Sequence, residues 1–236
     1  MGRKFEFSVD MHVHSMYSGE SLARPRDIID AALEKGLDAI VITEHQSLHA
    51  SAPFEKFRGQ TPLTILRGVE LTTDCGHMLV YGISDKDWND WGSDRTVHAQ
   101  DLIDRVNALG GIAVPAHPYV ISGSKGSPYW WEPVVAVDER ITGLHGLGAI
   151  EVCNGKHAGH PAVCEMLGAV ARSMNLPGIG GSDAHMPGSV GCSYTAFKVP
   201  IYSNRDLVQA VKSGLLHPKN GTAVCPPVKS ANISAR

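Results

Sequence analysis

Residues 96–118 read TVHAQDLIDRVNALGGIAVPAHP. A helical stretch from Thr96 to Leu109 is stopped by Gly110 and Gly111 and passes at once into an apolar strand, Ile112 to Ala116. The same order of helix, glycine and strand recurs upstream. Pro25 opens a helix over Arg24 to Lys35 with Ile28, Ile29, Ala32 and Leu33 on one face, Gly36 stops it, and Asp38 to Thr43 (DAIVIT) follows as a continuous apolar run. Such a run is the pattern of a buried parallel strand covered on both sides by helices. Downstream, a helix over Pro161 to Met174 leads to a short strand, Pro177 to Gly181, and Asn204 is placed to cap a helix over Arg205 to Lys212 that Gly214 closes.

Four more strands read from the apolar pattern: Phe5 to His14, Thr64 to Val69, Met78 to Ile83 and Ala149 to Cys153. Strands alternating with helices imply a mainly parallel sheet, and about seven such units close more easily into a barrel than they lie open. The segments Ser84 to Arg95 and Ser122 to Pro133 break the rhythm and read as loops, while the tail from Lys219 has no helical period. One domain over residues 1–236 is expected.

Composition narrows the function classes. The formal net charge of −3 gives no general attraction to nucleic acid or to an anionic membrane. No apolar run reaches the roughly 20 residues needed to span a bilayer, and MGRKFEFSVD lacks a signal-peptide core, so a cytoplasmic protein is expected. The 5 cysteines contain no CxxC pair and are odd in number, which fits reduced thiols.

The 12 histidines are informative through their positions. Nearly every strand ends in residues able to bind a metal: Asp10-Met11-His12-Val13-His14, Thr43-Glu44-His45, Gly68-Val69-Glu70, Pro115-Ala116-His117 and Gly181-Ser182-Asp183-Ala184-His185. In a parallel barrel these ends share one face. Strand alternation points His12 and His14 the same way, so two imidazoles can grip one ion, and Glu70 can bridge two ions with its two oxygens. Mixed nitrogen and oxygen donors suit zinc, manganese or iron. Taken singly, each motif has an ordinary explanation, such as a solvated strand end or a turn; their convergence on one barrel face is what implies a site. His77 opens its strand and is placed to lean over that site. His49, His98, His157, His160 and His217 are assigned no role, and His145, preceding its strand, is expected on the opposite face. Cys153 is expected to pack in the core.

In order along the chain, Asp10-Met11-His12-Val13-His14-Ser15, Ile42-Thr43-Glu44-His45, Gly68-Val69-Glu70, Gly76-His77, Ala116-His117-Pro118, Ile150-Glu151-Val152 with Asn154, and Gly181-Ser182-Asp183-Ala184-His185 resemble the PHP family, named for DNA polymerases and histidinol phosphatases. The resemblance implies an α/β fold, a distorted (β/α)7 barrel, with two or three divalent ions that hydrolyse phosphate esters. It further implies that His12, His14, Glu70 and Asp183 hold one ion, Glu70, His77 and His117 a second, and His45 and His185 part of a third. The family commonly has Asp or His where this chain has Gly19; Glu20, one residue on, is the candidate substitute. Glu44 replaces the common Asp, a milder change.

The expected activity is a phosphoesterase using a metal-bridging hydroxide on small phosphorylated metabolites or short nucleotides, with Asn154 and Lys156 as candidate substrate contacts and no long nucleic acid or membrane as partner. One rival is an amidohydrolase, whose metals are typically bridged by a lysine; no lysine ends a strand here. Another is a metal-binding regulatory protein without turnover.

Overall fold

The computed structural model describes residues 6–89, 91, 96–122, 134–157 and 161–220. The elements in chain order are β1 (Phe7–Val13), α1 (Pro25–Glu34), β2 (Ala39–Ile42), β3 (Thr64–Thr73), β4 (Gly76–Tyr81), α2 (Ala99–Ala108), β5 (Ile112–Pro115), β6 (Tyr119–Ser122), β7 (Val134–Val137), β8 (Ile150–Asn154), α3 (Pro161–Ser173), β9 (Gly178–Gly181), β10 (Ser193–Phe197), α4 (Asn204–Lys212) and β11 (Leu216–Asn220). A short 3-10 turn, Met16–Ser18, follows β1, and a longer irregular one, Leu48–Phe57, follows β2.

The strands order as β11-β10-β1-β2-β3-β4-β5 in one curled sheet, with β8-β9 and β6-β7 as separate pairs. The β8-β9 pair closes the gap between β5, at one edge of the sheet, and β1. The N–H of Gly148, just before β8, donates to Ala113 of β5 at 2.9 Å, and Asp183 N–H, just after β9, donates to His12 of β1 at 2.7 Å. The circuit β1-β2-β3-β4-β5-β8-β9 is the distorted seven-stranded barrel. Glycine makes its last seam possible: a Cβ on Gly181 would stand 2.4 Å from His12 Cβ.

The sheet is not mainly parallel, contrary to the sequence expectation. β1-β2, β2-β3 and β8-β9 are parallel, but β3-β4, β4-β5, β1-β10 and β10-β11 are antiparallel. The cause is local. Only Asp74 and Cys75 separate β3 from β4, too few residues for a parallel crossover, and Gly76 turns the chain at a φ of 92°.

Helix packing follows the pattern anticipated for it. In α1, Pro25 occupies the first turn, Ile28, Ile29 and Ala32 are buried, and Gly36 adopts a φ of 71° just past its end. In α4 the expected cap is displaced by one residue: Ser203 accepts from Asp206 N–H, while Asn204 Nδ2 donates to the Arg67 carbonyl at 3.0 Å. In the Ser84 to Arg95 segment, Trp88 and Trp91 are core residues, 4% and 5% exposed, so this is an anchored connection; residues 90 and 92–95 are outside the described set. The Ser122 to Pro133 loop falls outside it too, apart from Ser122, as does the tail beyond Asn220. Lys219 itself lies in β11. Among the described residues no helix is long and apolar enough to cross a membrane.

Candidate metal centre

All eight expected ligands come together at one end of the barrel. His12 lies in β1 and His14 just past it; His45 follows β2, His117 follows β5, and Asp183 and His185 follow β9. Glu70 is not at a strand end. β3 continues to Thr73, and Glu70 sits inside it, 1% exposed, instead of projecting into solvent. Because β4 runs against β3, its opening residues lie beside β3's final ones, pairing His77 with Thr72. Antiparallel pairing therefore carries His77 to the same face.

The donors form nested groups around Glu70. Its Oε2 lies 3.2 Å from His12 Nε2, 3.1 Å from His14 Nε2 and 3.1 Å from His45 Nδ1. Its Oε1 lies 2.9 Å from His77 Nδ1 and 3.3 Å from His117 Nε2. One carboxylate thus presents one oxygen to each of two donor groups. Asp183 Oδ1 completes the first group at 3.6 Å from His12 Nε2 and 3.4 Å from His14 Nε2, and those two nitrogens are 2.9 Å apart. Metal–ligand bonds of about 2.0–2.2 Å put neighbouring donors about 3.0 Å apart in an octahedron and about 3.4 Å apart in a tetrahedron. Separations of 2.9–3.6 Å therefore fit a common ion of either geometry. Glu70 Oε2 and His117 Nε2 are also buried without hydrogen-bond partners among the described residues, as atoms meant for an ion are. His14, His45 and His185 make a third group nearer the surface, with Glu20 Oε2 at 3.7 Å from His45 Nε2 and 4.0 Å from His185 Nε2.

Electrostatics bind the inner groups together. Burial opposes charge on Glu70 and Asp183, but the neighbouring histidines, His12 foremost, outweigh it and hold both carboxyls well below the usual range. Burial likewise opposes charge on His12, and the Asp183, Glu70 and Glu151 carboxylates overcome it. At His45, burial prevails and pushes the imidazole down to about 4, leaving it neutral at pH 7. The backbone is strained at the same place. Among the described non-glycine residues only Gln46, His117, Asn175 and Asp183 have positive φ, and three of the four are candidate ligands or adjoin one.

Two buried carboxylates carry functions that sequence reading did not assign. Glu151, 0% exposed, places Oε1 3.0 Å from His12 Nδ1 and accepts from the His117 N–H at 2.7 Å through Oε2. Asp10 accepts from the N–H groups of Ser182 and Gly191, both at 2.8 Å, and so fixes the chain around Asp183; burial raises its pKa to about 6. Both lie in apolar strands, and a carboxylate alternating with Ile150 and Val152 was the available signal.

The candidate substrate contacts divide. Asn154 is buried and gives its amide to Glu151 Oε2 at 2.9 Å, holding that carboxylate in place. Lys156 Nζ is 2.5 Å from Asp183 Oδ2, yet its side chain is 45% exposed, so its charge reaches the mouth. Its loop is tightly seated, since a Cβ on Gly155 would stand 2.0 Å from the Ser182 carbonyl oxygen. Cys153 is buried in the core, as expected. His49, His98 and His217 pair with Asp85, Asp74 and Glu6 respectively and join no donor group, nor does His145, whose backbone bonds to Gln100. His160 and the His157 side chain lie outside the described set.

The PHP domain family matches residues 10–163, and the PHP-associated family matches residues 164–215. An uncharacterized protein of Methanocaldococcus jannaschii, MJ1587, is 24% identical over 159 residues, covering 63% of this chain and 82% of its own. Among solved structures, PsfC of Pseudomonas syringae aligns with a TM-score of 0.63 at 19% identity over 92% of both chains. A provisionally named metal-dependent phosphoesterase of Bifidobacterium adolescentis aligns at 0.55 and 18% identity, over 75% of this chain and 87% of its own. An amidohydrolase of Chromobacterium violaceum aligns at 0.59 and 16% identity, over 90% and 98%. These structural likenesses establish the fold. With the PHP domain matched from Asp10 onward and its barrel and donor clusters in place, this chain is a member of the PHP family.

Proposed function

We propose that the chain is a metal-dependent phosphoesterase acting on small phosphate esters or short nucleotides. The observation that carries this reading is the placement of Glu70, one oxygen toward His12 and His14 and the other toward His77 and His117. Divalent ions held there supply Lewis-acid charge and lower the pKa of water toward neutrality. The protein's own residues do the rest. The first group would be held by His12, His14, Glu70 and Asp183, the second by Glu70, His77 and His117, and Glu151 orients His12 for its task. Lys156, at the mouth and half exposed, is the cation placed to receive phosphoryl oxygens as negative charge gathers on them. Manganese, zinc and iron all suit these donors.

Amide hydrolysis is the second reading, since a neighbour of that name shares the fold. Against it, the bridging position is filled by a glutamate, and Lys156 reaches Asp183 from the mouth without standing between the donor groups. The test is a screen of phosphomonoesters, phosphodiesters and amides with each metal added in turn. Turnover of phosphate esters is expected; turnover of amides alone would replace this reading with the second. Long nucleic acid is not the expected substrate, as several clustered cations are needed to grip it, and tight, steeply salt-dependent binding of long DNA would contradict that.

A further inference from the structure

Ser18 closes the turn after β1, and its hydroxyl touches three groups. It is hydrogen bonded to Oε2 of Glu44, lies 3.0 Å from His14 Nδ1, and lies 3.3 Å from the His45 backbone nitrogen, whose N–H donates to it. Glu44 is 0% exposed and faces further donors: Ser15 N–H at 3.1 Å and the Ser15 hydroxyl. Two carboxylate oxygens surrounded by donors form the pattern of an acceptor-only group. Ser18 has one hydroxyl proton, and it is donated to Glu44 in that hydrogen bond. The hydroxyl lone pairs then remain to accept, so His14 must present a protonated Nδ1 to Ser18. A neutral imidazole protonated at Nδ1 carries its free lone pair on Nε2. Nε2 is the atom of His14 that lies 3.1 Å from Glu70 Oε2 and 3.4 Å from Asp183 Oδ1, facing the first donor group.

We propose that Glu44, acting through the Ser18 hydroxyl, is a positioning residue for His14, fixing the ring orientation and tautomer in which Nε2 is the free donor. His12 is held in the corresponding way by direct contact of its Nδ1 with Glu151. The two imidazoles of the HxH pair thus answer to two different carboxylates, one in contact and one relayed through a hydroxyl. The relay serves the rim as well, since the same Ser18 oxygen receives the His45 N–H, and Gly19 then turns the chain at a φ of 79° before Glu20. This inference concerns metal binding alone, so its test uses no substrate and can fail independently of the phosphoesterase reading.

The probe is zinc, titrated into metal-free protein against a competing chelator. Ser18→Ala keeps the contacts between Ser15 and Glu44 but breaks the relay, and Glu44→Ala, which has no side-chain oxygen, removes the acceptor. Each is expected to weaken the tightest class of zinc site by about 10–100-fold, the usual effect of losing a partner behind a ligand. Ser18→Thr, which keeps the hydroxyl, should restore most of the affinity. A residue that merely clamps the turn would move the melting temperature and leave zinc affinity alone; wild-type affinity in a folded Ser18→Ala protein overturns the proposal. Should the variants not fold, nitrogen-15 spectra of the histidine rings in zinc-loaded wild type decide it. His14 coordinated through Nε2 with a protonated Nδ1 is expected, and coordination through Nδ1 refutes the relay.

Discussion

The inner and outer donor groups of the cluster differ most in the depth of their carboxylates. In the first group His12, His14, Glu70 and Asp183 have side chains 0–1% exposed; the second joins His117 and His77, 17% and 37% exposed, to the same buried Glu70; the third joins His45 and His185, 19% and 28% exposed, to His14, and its added carboxylate, Glu20, is 70% exposed. The inner residues sit on or directly after neighbouring strands and are braced by Glu151 and Asp10. Glu20 is attached to a surface turn, with its oxygen 3.7–4.0 Å from its two histidines. In the low-dielectric interior a carboxylate's charge acts at nearly full strength, while at the rim water screens it. The lesson is that three similar sets of side chains should hold ions with very different firmness: two tightly, and a third weakly or only with substrate.

Replacing Glu70 should produce the largest effect, because its carboxylate belongs to both inner groups. Glu70→Gln is expected to lose both tightly held ions and to reduce turnover by more than the roughly 100-fold that a missing outer partner costs. Asp183→Asn comes next: it should empty the first group while the second keeps its ion. Asn accommodates the φ of 52° found there, so the backbone turn that carries the side chain is kept. If metal content and turnover survive this change in a folded protein, Asp183 is not a ligand. Glu151→Gln leaves every ligand in place but removes the anionic partner of His12, and about a 10–100-fold loss of zinc affinity is expected in the chelator assay. The smallest effect belongs to Glu20→Ala. The two inner equivalents should be unchanged and only the weak third lost, visible at high metal concentration. Three equivalents kept by wild type after dialysis, with two kept by Glu20→Ala, would erase the distinction between depth and rim.

Much of this difference in depth can be read in the sequence, and some cannot. Strand ends rich in His, Asp and Glu were legible because apolar runs such as Asp38 to Thr43 stop abruptly at polar residues. The hairpin of β3 and β4 was legible too, in the absence of any helical stretch between two apolar runs, but the expectation of alternating helices hid it. β10 and β11 escaped for a physical reason. Ser193 and Thr195 break the apolar alternation of β10, where Thr195 instead bonds to Gly180, and β11 is a partly exposed edge strand containing Pro218. Glu151 lay in a segment already singled out, yet nothing in a single strand tells that its carboxylate meets a histidine 139 residues away. Burial itself was the hidden quantity: Glu70 and a solvated glutamate look alike until β3 is seen to run on past it.

The central claim is that one carboxylate joins two ion sites. The measurement that tests it most directly is elemental analysis of wild type and Glu70→Gln, both reconstituted with zinc and dialysed against metal-free buffer. Two equivalents in wild type and fewer than one in Glu70→Gln are predicted, with both proteins showing the same folded circular dichroism; two equivalents retained by the variant would contradict the bridging role.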